Sequence, residues 1–160
     1  MKAAPGELIR AVTPGDLPRL LVLIGEHAAF ERGQATVQAA QLSCALFDPP
    51  ARLFGWVAWE GEDLLGYAAA SREFSTWRGC EHLHMDCLFV SAEARNRGLG
   101  ALLAEAVIGF AMAEGLIEVQ WQTPAWNLGA VRFYERLGAV GNEKIRFSAQ
   151  TSPARREPLA

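Results

Sequence analysis

The chain has 160 residues, 51% hydrophobic and 21% charged, with a formal net charge of −3. That length supports one domain with a real core and leaves too little for two comfortable ones. The mixed, slightly acidic charge argues against a general nucleic-acid binder, which needs a basic face, and no stretch approaches the roughly 20 apolar residues of a membrane span. Met1 to Gly6 lacks the apolar core of a signal peptide, so a cytoplasmic location is expected, with neither nucleic acid nor membrane as partner. Cys44, Cys80 and Cys87 form an odd set without a C-x-x-C pair. They suggest neither a zinc ribbon nor a disulfide framework, and packed reduced thiols are the plain expectation.

Glu7 to Val12 reads as a short first strand, and Thr13-Pro14-Gly15-Asp16 as a turn able to cap a helix. Leu17, Leu20, Leu21, Leu23, Ile24, Ala28 and Phe30 recur at helical spacing, so a helix is predicted to about Glu31. Thr36 to Phe47 reads as a second helix, ended by Asp48-Pro49-Pro50. Arg52 to Glu60 and Leu64 to Phe74 form a predicted hairpin around Gly61-Glu62-Asp63. Ser75 to Glu81 is a loop with Trp77 and Gly79, and His82 to Ser91 is the next strand. A glycine-containing loop then leads into a helix from about Gly98 to Glu114, with Leu102, Leu103, Ala106, Val107, Phe110 and Ala111 on its apolar stripe. Gly115 stops it. Leu116 to Gln122 is a predicted strand. Asn127 caps a helix running to Leu137, Gly138 ends it, and Ala139 to Ala149 is a predicted final strand. Thr151 to Ala160 reads as a loose tail.

No repeat or linker divides this pattern, so one domain over 1–160 is expected, with its core at about 7–149. The order β-α-α-β-β-β-α-β-α-β implies an α/β fold with helices on both faces of one central sheet.

The most informative segment is Arg95-Asn96-Arg97-Gly98-Leu99-Gly100, between a strand and an apolar helix. Glycines let the backbone curl its N–H groups toward an anion. A helix start, here continuing into Ala101, adds unpaired N–H groups and a positive dipole end, and Arg95 and Arg97 add cationic reach. The segment suits a pyrophosphate. It is not a Walker loop, since no Gly-Lys-Ser/Thr follows, and it lacks one glycine of the dinucleotide fingerprint. By themselves the six residues fit a plain strand-to-helix turn equally well. Their specificity comes from the downstream Asn127-x-x-Ala130-x-x-Phe133-Tyr134-x-x-x-Gly138.

On these two motifs, Arg95-x-x-Gly98-x-Gly100 and Asn127 to Tyr134, the chain resembles the GNAT superfamily of N-acetyltransferases over residues 7 to about 149. Within it, Glu26-x-Ala28-x-Phe30-Glu31, Phe74-Ser75-Thr76-Trp77-x-Gly79 and Met85-Asp86-Cys87-Leu88-Phe89-Val90 resemble the diamine (spermidine/spermine) and thialysine branch. The resemblance implies a mixed, mostly antiparallel sheet, acetyl-CoA as donor, and a primary amine of a small molecule as acceptor: a polyamine, a diamine or a lysine-like amino acid. It also implies a homodimer. The donor would lie between splayed strands at His82–Ser91 and Leu116–Thr123, held by backbone groups of Leu88, Phe89 and Val90, by the loop Arg95–Gly100 with Ala101, and by Asn127 and Ala130 of the later motif. Tyr134 would return a proton to the leaving thiolate, and a phenol's ordinary pKa of about 10 suits that task. Asp86 matches the branch's acidic position near the amine, where glutamate is more usual, so it would act directly or through water. Phe30, Glu31, Trp77 and His84 would lie on the acceptor side. The branch often carries an acidic residue just before the loop tryptophan; Thr76 stands there in this chain, which weakens a polyamine assignment. Other acceptors are an amino acid, an antibiotic amine or a protein N-terminus.

Three other readings accompany this one. On a regular strand His82, His84 and Asp86 share a face, as zinc ligands of a hydrolase would, although no H-E-x-x-H is present; the expectation is no metal. His84 could instead relay protons beside Asp86. Cys87 as a nucleophile is disfavoured, because regular alternation puts it opposite Asp86, His82 and His84. A non-catalytic CoA-binding module would keep the loop but has no use for Tyr134. Trp56, Trp59, Trp121 and Trp126 are expected to pack.

Overall fold

The computed structural model describes residues 8–151. Its sheet has the order β1-β2-β3-β4-β5, built from β1 (Ile9–Ala11), β2 (Phe54–Glu60), β3 (Asp63–Ser75), β4 (Cys80–Val90) and β5 (Val119–Gln120). The first four strands pair antiparallel, while β5 runs parallel to β4. The helices are α1 (Leu17–Phe30), α2 (Ala39–Phe47), α3 (Leu99–Ala113) and α4 (Leu128–Arg136), with 3-10 turns at Pro14–Asp16 and Ala92–Ala94.

The two sheet faces are written in the alternation of β2, β3 and β4. Val57, Tyr67 and Phe89 stand opposite one another across the three strands. Leu20 and Leu23 of α1 and Leu42 of α2 pack on them. On the other face, Phe54 and Trp56 meet the ring of Phe110 on α3 at centroid distances of 4.7 and 5.4 Å. Leu103 and Val107 of α3 are fully buried. Gly66 permits this closeness, because a Cβ there would stand 2.9 Å from the Phe89 carbonyl oxygen and 3.1 Å from Leu103 Cδ1.

The entry to α1 is fixed by one buried carboxylate. Asp16, 2% exposed, accepts two hydrogen bonds of 2.7 Å from the Arg10 guanidinium. It also accepts from the Thr13 N–H at 2.7 Å and the Thr13 hydroxyl at 2.9 Å. The Arg10 bonds, aided by Thr13, hold its carboxyl at about 2, well below the usual carboxylate range.

The chain divides after Pro124 into two compact units. The first contains the whole sheet with α1, α2 and α3. In the second, Asn127 caps α4 as expected, its Oδ1 accepting from the Ala130 N–H at 3.2 Å.

Some expected elements differ. The predicted strand over 139–149 does not form, and 139–151 is neither helix nor strand. Gly141-Asn142 breaks its alternation, and alternation without a pairing neighbour does not make a strand. The strand predicted over 116–122 shrinks to two residues. The second helix starts at Ala39 rather than Thr36, because the Gln38 N–H donates to Gln41 Oε1 at 2.9 Å and marks the start there. The predicted loose tail lies outside the described residues except for Thr151, as does Glu7 of the predicted first strand.

Candidate active site

The candidate site begins where β4 ends. After the turn Ala92–Ala94 the backbone reverses through Asn96 at φ 59° and Gly98 at φ 82°. Gly98 is the N-cap of the 15-residue α3, and no side chain caps that end. A Cβ on Gly98 would meet nothing within 4 Å, so the left-handed backbone, not crowding, calls for glycine. The uncapped N–H groups at Leu99, Gly100 and Ala101 sit at the positive end of the helix dipole, a ready anion site.

The two arginines of this loop differ. Arg97 is ion-paired with Glu60 at the end of β2. Arg95 folds back, its Nε donating to the Val90 carbonyl at 3.1 Å and its guanidinium lying 4.6 Å from the Phe30 ring centroid and 5.5 Å from that of Phe89. Arg95 thus links the loop to the C-terminal turn of α1.

β4 and β5 pair only at Leu83↔Val119 and His84↔Gln120. Among the described residues, the β4 edge from Met85 to Val90 therefore has no strand partner on that side. Its backbone is open to an extended ligand arm next to the α3 N-terminus.

Farther back along the same strand, β4 carries a β-bulge. Cys87 pairs with Ala69 and Met85 with Ala70, which leaves Asp86 as the extra residue. The bulge overturns the regular alternation expected for this strand. Asp86 and Cys87 are neighbours, the thiol donating to Asp86 Oδ2 at 3.5 Å. Burial, chiefly, pushes the Cys87 thiol up to about 12, so it stays protonated at neutral pH and is no thiolate nucleophile.

Further polar contacts lie inward of β4. Cys87 packs against the core cluster that holds Tyr67, a residue 3% exposed whose pKa burial raises far above the ordinary phenol value. The Tyr67 hydroxyl lies 2.8 Å from His27 Nδ1, and His27 Nε2 lies 3.3 Å from Glu31 Oε1. The His27 ring stacks on Phe89 at 4.8 Å and 15°. Glu31, just past the end of α1, His27 and Tyr67 form one line of contacts, and Cys87 with the exposed Asp86 forms a second contact on β4.

The sequence model of the acetyltransferase (GNAT) family matches residues 21–139, most of the described chain. The chain belongs to this family. It is 27% identical over 136 residues to a thialysine N-epsilon-acetyltransferase of Caenorhabditis elegans, covering 85% of this chain and 84% of that one. It is 29% identical over 143 residues to a D-amino-acid N-acetyltransferase of Saccharomyces cerevisiae, covering 88% of each. Among solved structures, an aminoglycoside acetyltransferase from an uncultured soil metagenomic sample superposes with a TM-score of 0.74 at 20% identity, covering 90% of this chain and 95% of that one. That likeness shows the shared fold.

Within this GNAT acetyltransferase, the first unit brings together Phe30, Phe89 and Arg95, with Glu31 joined to Phe89 through His27, while Asp86 meets Cys87. Asn127, Ala130 and Tyr134 lie in the second unit, on or beside α4. Trp77, 97% exposed, sits in the turn between β3 and β4. Six residues of strand separate Cys80 from Asp86, about 20 Å at the usual rise, so Trp77 is not beside Asp86 in one copy of the chain.

The expected shared face of His82, His84 and Asp86 also changes. The bulge interrupts their register, and His82 is buried beside Glu73, with Nε2 3.6 Å from Oε2. Among the described residues, no three His, Cys, Asp or Glu are grouped to hold a metal ion. His27 and Tyr67 escaped the sequence reading. The His27–Glu31 pair had a usable signal, the i, i+4 spacing on a predicted helix. Tyr67 had none, because its role depends on the register of β3 against a bulged β4.

Proposed function

We propose that this acetyltransferase moves acetyl from acetyl-CoA to a primary amine of a small cationic molecule: a polyamine, a diamine or a lysine-like amino acid. The observation that carries this reading is the juxtaposition of the open Met85–Val90 edge with the uncapped, left-handed Gly98 start of α3. An extended arm and its pyrophosphate would need those two features side by side. The residues fit such a donor: Leu99, Gly100 and Ala101 supply N–H groups, Asn96 and Gly98 the curl, and the Leu88–Val90 backbone the edge. Arg95 and Arg97 would turn toward the phosphates from their present partners.

The bound donor supplies a thioester carbonyl open to attack by an amine. The chain's part is to attract the ammonium group, remove its proton and hold the carbonyl's developing charge. Asp86 does the first two from the bulge, and backbone N–H groups of β4 do the third. Glu31, with Phe30 and Phe89 beside it, adds negative charge and aromatic faces for a cationic acceptor. Tyr134 is assigned the proton returned to the thiolate on its Phe133-Tyr134 motif alone. The relatives' named acceptors, thialysine and D-amino acids, are themselves amines, which supports the class.

A thiol-release assay with acetyl-CoA across an amine panel tests the reading. Cationic amines are expected to be the best acceptors, and Asp86→Asn and Tyr134→Phe each to lower kcat about 10²-fold. No CoA affinity by calorimetry would sink it. We also propose a homodimer, for which sedimentation equilibrium should give twice the chain mass.

A further inference from the structure

The two arginines of the Arg95–Gly100 loop are held by different kinds of partner. Arg97 meets the carboxylate of Glu60, as Arg10, Arg72 and Arg78 meet carboxylates elsewhere in the fold. Arg95 meets a carbonyl and two rings. Its Nε donates to the Val90 carbonyl at 3.1 Å, and its guanidinium carbon stands 4.6 Å from the Phe30 centroid and 5.5 Å from that of Phe89. The two rings lie 6.2 Å apart at 51°, and His27 stacks on Phe89 at 4.8 Å and steadies that ring. Two tilted ring faces around one positive group make a cation site. Phe30 is 40% exposed, so the ring pair opens toward water and does not close a core.

We propose that Arg95 is a tethered occupant of this Phe30–Phe89 cation site, which leaves when the donor's pyrophosphate takes up its guanidinium and so opens the site to the cationic group of the acceptor amine. The proposal rests on the acetyltransferase reading of the same site and concerns its regulation.

The strengths of the competing contacts permit the exchange. Ring faces attract a guanidinium through a quadrupole, whereas phosphate oxygens carry charge and accept paired hydrogen bonds from it. Arg95 is therefore held well enough to fill the site in the free chain and loosely enough to give it up. It stands three residues before the Gly98 start of α3, so one long side chain serves both the loop and the rings.

One such site holds one cation, because two positive groups a few ångströms apart repel strongly where water is partly excluded. An ammonium group arriving at the rings must displace Arg95, and a donor that draws Arg95 away raises the affinity for the amine. By linkage the amine raises the affinity for the donor by the same factor. Occupancy by Arg95 about nine-tenths of the time in the free chain corresponds to a coupling of about tenfold. A neutral or anionic acceptor gains nothing from the vacated rings, so the exchange also favours cations.

The test uses the full chain and CoA, which lacks the acetyl group and permits no turnover. Affinity for diaminobutane and for lysine is measured by NMR titration with and without saturating CoA, at physiological salt to screen the donor's distant charge. In the wild type, CoA should raise amine affinity about tenfold. Arg95→Gln should bind CoA more weakly, yet bind amine without CoA as tightly as the CoA-loaded wild type, with less than about twofold further gain. Arg97→Gln removes the same charge from the same loop and should keep the wild-type coupling, which separates occupation of the rings from general repulsion. Phe30→Leu should bind amine weakly with or without CoA, since half of the site is gone. A wild-type amine affinity that CoA leaves unchanged or lowers overturns the proposal and needs no variant to fold. Full coupling in Arg95→Gln or in Phe30→Leu overturns it too, as does an equal loss of coupling in Arg95→Gln and Arg97→Gln. A wild type that binds no CoA, or binds CoA and neither amine, overturns the functional reading and this proposal together. Binding of both ligands without coupling overturns this proposal alone.

Discussion

The Arg95–Ala101 loop and the side-chain contacts of α1, β3 and β4 are built in opposite ways. The loop is a backbone device: contiguous residues from Arg95 to Ala101, two left-handed turns, and a helix end without a side-chain cap. The second set is a side-chain device, in which Glu31 and His27 meet Tyr67 of β3 while Asp86 touches Cys87 on β4. A backbone device tolerates side-chain change and fails when φ is forbidden. A side-chain device tolerates local backbone adjustment and fails when one atom is removed or one register slips.

Four substitutions test how separate the two are. The largest effect is expected for Leu103→Ala, because that side chain is fully buried where α3 meets the sheet near Gly66. A loss of about 3 kcal/mol in urea unfolding is expected, with both regions weakened together. Preserved stability would show that α3 can be unpacked without cost to either device.

Next is Asp16→Asn, at the entry to the helix that carries His27, Phe30 and Glu31. The folded-state carboxyl lies at about 2, below its ordinary 3.8, so its stabilisation is fully present above about pH 4 and is lost as pH falls toward 2. That shift corresponds to about 2 kcal/mol at neutral pH. Acid titration followed by circular dichroism should show the component in the wild type and not in the variant.

Gly98→Ala should cost about 1–2 kcal/mol, since alanine is strained at φ 82° although nothing crowds its Cβ. CoA affinity by calorimetry should fall about tenfold, the equivalent of 1.4 kcal/mol. The amine KM of the remaining activity should be unchanged, and a changed value would mean that the loop and the side-chain contacts are one device. Trp77→Ala, at a fully solvated turn, should move stability by less than about 0.5 kcal/mol. A larger shift in the melting temperature that depends on protein concentration would place Trp77 in a contact between copies of the chain.

The site was legible in the sequence to the degree that it is local. The loop, α3, the Asn127 cap and the hairpin of β2 and β3 follow from glycines, capping residues and periodicity within a dozen residues. The closing strand was not, because 145–149 alternates like a strand but a strand exists only with a pairing neighbour. The Asp86–Cys87 contact was not, because regular alternation puts the two on opposite faces. One unpaired residue, set by the match between β3 and β4 over ten positions, reverses that.

The sequence by itself determined the family, the strand–loop–helix that suits a pyrophosphate, and the spacing that puts Glu31 one helical turn beyond His27. Only the tertiary structure decided that Asp86 is a bulge residue, that Arg95 rests on Phe30 and Phe89, and that Tyr67 meets His27. The physical reason is range. Backbone conformation and helix capping are set by neighbours along the chain, whereas a hydrogen bond between residues 40 apart, such as that of Tyr67 with His27, depends on strand register and helix docking that no local pattern encodes.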